Sequence, residues 1–281
     1  MKLAVITDSS ATISDKYKRF DNLHILNIPL AIDGKTYASK DISAEDFYAL
    51  MAAAKDVPKS SQPSLIELND LLKNLEIQGY THVLGLFLAS GISGFYANAF
   101  HLQNEFDRMQ VKFPETYITS SPLGYMVETA LEGAVRNLSF EEIYANFEKQ
   151  RDGDAAFMLV DNLKWLSKSG RLSNGSAIIG TLLGIKPVLT FSEDGKVELF
   201  EKVRTVKKST ARLKELLLEN SKPESHKIFV LEARGGEKTQ EFYDYAIAQG
   251  YKDVEIVDFG PVIATHLGLG ATAYGMSLKI F

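Results

Sequence analysis

The stretch that most constrains this chain is 80–101, YTHVLGLFLASGISGFYANAFH. Its apolar run (Val83, Leu84, Leu86, Phe87, Leu88) gives way to the small residues Ala89, Ser90 and Gly91, and then Phe95, Tyr96, Ala99 and Phe100 recur at helical spacing. A mostly apolar run of this kind predicts a strand buried on both faces. The change to a 3.6 period after a small-residue loop predicts that it feeds a helix, as in a parallel α/β sheet. Ligands of such sheets bind beyond the carboxyl ends of the strands. Ser90 and Ser93 fall there, beside a helix N-terminus whose free N–H groups favour an anion. Ser93 is therefore the first candidate for holding a negatively charged head group.

The other segments extend the pattern. Residues 2–6 predict a buried strand ending in Thr7-Asp8-Ser9-Ser10, which reads either as a ligand loop or as the cap of a following helix. Residues 24–30 predict a second strand, Asp33-Gly34 a turn and Ser43 a helix start. Ser64 with Glu67 caps the next helix and is structural, whereas Ser60 and Ser61, in the stiff connection 57–63, have no such duty. A strand is expected at 116–120, a helix at 123–136 and a capping box at Ser139.

The turn Asp152-Gly153-Asp154 marks the expected boundary between an N-terminal α/β domain, 1–153, and a C-terminal one, 154–281. Beyond it strands are expected at 155–161, 186–191, 227–232 and 254–258, and helices at 163–168, 177–185, 209–220 and 237–249. A hairpin turn at 193–196 makes this second sheet mixed. The expected fold class is thus two α/β domains, an N-terminal parallel sheet flanked by helices and a C-terminal mixed sheet with helices, with the ligand between them. Residues 259–270, with three glycines and a proline, are expected to form a shaped loop presenting His266.

Composition narrows the chemistry. The 281 residues contain no cysteine, which excludes disulfides and thiol catalysis. No run approaches the ~18 apolar residues of a membrane span, and the N-terminal run is too short for a signal peptide, so a cytoplasmic location is expected. A net charge of −5 argues against a broad nucleic-acid surface. No phosphate loop of the Walker type is present, and Gly268-x-Gly270-x-x-Ala273 lies too near the end of the chain for a dinucleotide fingerprint. Gly91-x-Ser93-Gly94-Phe95 is a near miss for a nucleophile elbow, with Phe95 where the second glycine belongs. A hydrolase using Ser93 would need His266 as its base and a carboxylate to orient it. No histidine or carboxylate spacing indicates a metal, and no cofactor is expected.

Thr7-Asp8-Ser9-Ser10, Ser60-Ser61-Gln62-Pro63-Ser64, Ser93-Gly94, Ser169-Gly170-Arg171, Lys186-Pro187, Val203-Arg204-Thr205 and Gly260-Pro261-Val262 with His266 occur in one order. With these motifs the whole chain resembles the DegV family. The resemblance implies a protein that encloses one long-chain fatty acid between its domains. It also implies a non-catalytic carrier subunit that presents the carboxylate to a separate ATP-dependent fatty acid kinase, which forms the acyl phosphate. By position, Ser60, Ser93 and His266 would bind the carboxylate, with Ser61, Gly94 and Thr265 as secondary positions.

Arg204 would engage the kinase. It lies in a cluster with Lys164, Lys168, Arg171, Lys202, Lys207 and Lys208, so Arg171 is a second docking candidate. Ser60 stands where the family usually has threonine, and Phe95 where threonine is common, which is expected to add bulk near the tunnel. Transient contact with a membrane is allowed by this reading, insertion is not. A carrier of another amphiphilic acid and the Ser93 hydrolase are the alternatives.

Overall fold

The structure, a computed structural model, describes residues 1–173 and 185–281. Most of the helix expected at 177–185 therefore lies outside the described residues. The N-terminal part is built on a 4-stranded sheet, ordered β2-β1-β6-β7, from Leu3–Asp8 (β1), Leu23–Leu26 (β2), His82–Leu86 (β6) and Gln110–Lys112 (β7). All its pairings are parallel. Val83, Leu84 and Leu86 are fully buried, as an apolar run with cover on both faces requires.

Residues 24–30 do not form one strand. The chain leaves β2 at Asn27, and Pro29–Ile32 (β3) joins Lys35–Ala38 (β4) and Lys59–Ser60 (β5) in a separate 3-stranded antiparallel sheet. A turn with positive φ at Asp33 and Gly34 connects β3 to β4. Residues 116–120 are also not a strand. Tyr117 and Ser120 sit at φ 58° and 60°, outside the pleated region. The Glu115 carboxylate takes the N–H groups of Thr116 and Tyr117 that a neighbouring strand would have taken.

The C-terminal part is a 6-stranded mixed sheet, β10-β9-β8-β13-β11-β12. Its members are Ala155–Leu159 (β8), Val188–Phe191 (β9), Val197–Glu201 (β10), His226–Glu232 (β11), Val254–Asp258 (β12) and Thr272–Leu278 (β13). The last strand was not expected from the sequence, yet it lies inside the sheet, antiparallel to both β8 and β11. Residues 259–270 are a second correction. Instead of a loop they carry a helix, Gly260–Leu267. Its proline lies in the first turn, where no intrahelical N–H is needed, and Gly268 closes it at φ 84°. Asp258 Oδ1 accepts the Gly260 N–H at 2.7 Å at its start. The glycines and proline bracket the helix and do not break it.

The helix Ser120–Val135 packs on β1 of the first sheet and on β11 and β13 of the second. Two glycines permit this wedge. Pro122 sits 2.9 Å from where a Cβ on Gly275 would stand, and a methyl group on Gly124 would overlap the carbonyl oxygen of Thr12. Phe95, expected to crowd the tunnel, is fully buried elsewhere. Its ring meets Phe87 edge-on at 5.0 Å inside the first sheet's own core. The close approach at Gly124 makes a test: Gly124→Ala should destabilise the protein by about 1–3 kcal/mol, the range for overpacking a filled core, measured by urea unfolding.

Candidate ligand cavity

Between the two large sheets lies a cavity of about 770 Å³, counting the space at its mouth. Its wall is mostly apolar. Ala156, Met158, Leu231 and Ala273 rise from the second sheet, Ile28 and Leu88 come from the segments that follow β2 and β6 of the first, and Val262 and Ile263 come from the 260–267 helix. Ser60, Ser61, Ser93, Arg171 and His266 also line it, drawn from distant parts of the chain.

Local structure fixes each of these polar groups. Ser60 is held by the β3–β5 pairing opposite Leu30, and the Ser61 N–H donates to the Pro29 carbonyl at 2.9 Å. Ser93 follows β6, and its Oγ accepts the Phe95 N–H at 3.3 Å. His266 comes from the last turn of the 260–267 helix. Asp8, fully buried, ties the loops after β1 and β6 together. Its two oxygens accept the N–H groups of Ser10 at 2.9 Å and Leu88 at 2.8 Å. Burial raises its carboxyl above the usual range, against the pull of these hydrogen bonds. Neither reading of Thr7-Asp8-Ser9-Ser10 matches their place: none of them lines the cavity, and among the described residues none caps a helix N-terminus.

Ser60 Oγ lies 2.6 Å from His266 Nε2. Burial, reinforced by the Arg171 guanidinium, pushes the imidazole down to about 3 from an ordinary 6.5, so the ring is neutral at pH 7. Among the described residues its buried Nδ1 has no hydrogen-bond partner. Within them the Ser–His pair has no carboxylate to orient it, and the base is far too weak to take a serine proton near neutrality. Ser93, the residue suspected as a nucleophile, is not the serine that His266 contacts.

Arg171, named from the sequence as a docking candidate, lines the cavity. Its Nε donates to the Ile92 carbonyl at 3.2 Å and its Nη1 to the Ser169 carbonyl at 2.9 Å, and it brings a permanent positive charge to the wall. Gly94 and Thr265 do not line it. Gly94 precedes the helix Phe95–Ala99, and the Thr265 hydroxyl donates to the Pro261 carbonyl at 2.7 Å. Arg204, Lys202, Lys207 and Lys208 are exposed, well apart in role from the cavity wall, and the side chain of Lys164 lies outside the described residues.

Sequence reasoning missed Thr119 and Ser120, whose segment was read as a strand. Both line the cavity at the N-terminus of the 120–135 helix, and Ser120 Oγ is buried with no partner among the described residues. The available signal was Ser120-Ser121-Pro122, small polar residues and a first-turn proline ahead of an apolar helical run. Among the described residues no cluster of histidine and carboxylate side chains is arranged to hold a metal ion, and no helix is long and apolar enough to cross a membrane.

Known proteins share this architecture. A family model described as "Uncharacterised protein, DegV family" matches residues 2–279. A DegV domain-containing protein of Lactococcus lactis, YqaC, is 64% identical over 280 residues, covering 99% of this chain and 100% of its own. Among solved structures, a fatty acid binding DegV family protein from Streptococcus agalactiae superposes with a TM-score of 0.95 at 46% identity, covering 99% of both chains. DegV from Bacillus subtilis, described as a fatty acid binding protein, gives 0.88 at 32% identity, covering 99% of this chain and 100% of that one. With a match from end to end and relatives alike over their whole length, the chain belongs to the DegV family.

Proposed function

We propose that the cavity binds one long-chain fatty acid, with the carboxylate met by Ser60, Ser93, His266 and Arg171 and the acyl chain along the apolar wall. The observation that carries this reading is the composition of the wall: hydroxyls, a neutral imidazole and one guanidinium in an otherwise hydrocarbon-lined space. An ionised carboxylate taken from water costs several kcal/mol unless donors replace its hydration. Arg171 supplies the countercharge, and Nδ1 of His266, which has no partner among the described residues, has capacity for one more hydrogen bond. At ~0.8 kcal/mol per buried methylene a long chain gains on the order of 10 kcal/mol gross. The tail therefore supplies most of the affinity and the head group sets orientation.

The protein is, on this reading, a carrier. The chemistry of acyl-phosphate formation would fall to a separate ATP-dependent kinase, which is supported by the resemblance of the chain's ordered motifs and by the exposed Arg204 and its neighbouring lysines. The weak base and missing orienting group at His266 disfavour the hydrolase alternative.

Gentle purification, denaturation and mass measurement should release a fatty acid. Ser93→Ala should lower acid affinity by ~1–3 kcal/mol in a titration, the cost of losing a buried partner to a charged group. Unchanged affinity would remove Ser93 from the head-group site.

Protonation gives a second test. Between an ordinary 6.5 and about 3 the unfolded chain binds a proton at His266 that the folded chain refuses, so this group's contribution to stability falls as pH drops through that window. His266→Gln should flatten that part of the pH–stability curve, read by urea unfolding on either side of pH 6. A bound carboxylate should raise the imidazole again, followed by its ring proton resonances. Finally, Arg204→Ala should leave acid binding intact while lowering acyl-phosphate output with the kinase. Equal loss of both would count against docking there.

A further inference from the structure

A second space adjoins the cavity. A groove of about 1270 Å³, open to solvent, is walled by Tyr117, Ile118, Phe157 and Phe200, with charged residues such as Arg151 and Glu198 also along it. Phe157 and Phe200 stack edge-on at 5.1 Å. Among the described residues it shares Ala156 and Phe191 with the inner cavity. None of Ser60, Ser93, Arg171 or His266 lines it. The common wall is therefore apolar and belongs to the acyl part of the cavity.

Strand register explains how that wall is made. Val197 pairs with Phe191 across β10 and β9, and Ala156 pairs with Gly275 across β8 and β13. Phe157 pairs with Thr190, which sets Ala156 opposite Phe191. Directly opposed residues of antiparallel strands share a face, so Val197, Phe191, Ala156 and Gly275 form one row. Pro122 covers Gly275. At Ala156 there is only a methyl group, and the half-buried ring of Phe191 stands beside it.

We propose that Phe191 is the specificity-determining side chain that closes the acyl cavity against the outer groove and so limits the acid the cavity encloses. The inference rests on the fatty-acid reading above. With the ring in place, hydrocarbon that outruns the cavity stays in water or is excluded. With the ring removed, the same hydrocarbon passes over Ala156 into the mouth of the groove and is buried against Tyr117 and Ile118, while Phe157, which alternates with Ala156 along β8, faces the other side of the sheet.

The test is a titration of saturated acids from lauric to arachidic, and of oleic acid, into the purified full chain and its variants. For the native chain, affinity should climb by about fourfold per methylene while burial continues, then level off. Phe191→Ala should move the levelling point to longer acids, and Ala156→Leu, which adds bulk from the other side of the gap, should move it to shorter ones. Thermal melting confirms that each variant is folded. If Phe191→Ala unfolds, Phe191→Leu and Ala156→Leu still decide the matter. A levelling point that stays put in the folded variants overturns the role of Phe191 while leaving the carrier reading intact. Failure of the native chain to bind any acid overturns both.

Discussion

The arrangement depends on how one helix wedges between two sheets. The 120–135 helix packs on β1 on one side and on β11 and β13 on the other, and it approaches closely only where a side chain is missing, at Gly124 and at Gly275. Residues facing each other from the two sheets share one hydrophobic core, and the cavity lies within it. Protein interiors are otherwise close-packed, so a space inside a core has to be held open by stiff surroundings. Asp8 supplies part of that stiffness. Its buried carboxylate locks the loops after the two central strands of the first sheet, and Leu88, Ile92 and Ser93 of the cavity wall hang from the second of these loops.

The chemistry of the wall follows from the same placement. Among the described residues the wall offers one guanidinium, a neutral imidazole and short hydroxyls, the donor set on which the fatty-acid reading rests. Serine loses little side-chain entropy when ordered, so these donors are pre-organised at small cost. In the Ser60–His266 contact two groups 206 positions apart in the chain meet at 2.6 Å, while Nδ1 has no partner among the described residues. A nucleophile and its base would need the opposite arrangement, a charged orienter behind the ring and a higher proton affinity. Binding, not bond-breaking, is what this geometry favours.

Local patterns were legible from the chain alone wherever one physical rule dominated. The apolar run at 83–88 is the buried parallel strand and its following loop, Ser43, Ser64 and Ser139 are N-caps, and Gly195 sits at φ 71° in the expected hairpin. Reading failed where rules compete. Gly260, Pro261 and Gly268 read as breakers, but their order, proline first and glycine last, is also how a short helix is delimited. Residues 116–120 have strand-like composition, but Glu115 captures their N–H groups and two residues turn left-handed. The final strand was overlooked because Gly275 and Ser277 dilute its apolar signal, although Gly275 is there to admit Pro122.

What the sequence by itself determined were the class of fold, the separate strands and caps, and the inventory of hydroxyls and imidazole available for an anion. Each of these depends on spacing along the chain, and spacing is what a sequence records. Only the tertiary structure decided that Ser60 meets His266, that Arg171 faces the cavity, that Phe95 belongs to a core, and that Phe191 stands between two spaces. Those outcomes depend on sheet register and on where a helix finds room to pack, which are set by contacts between residues far apart in the chain.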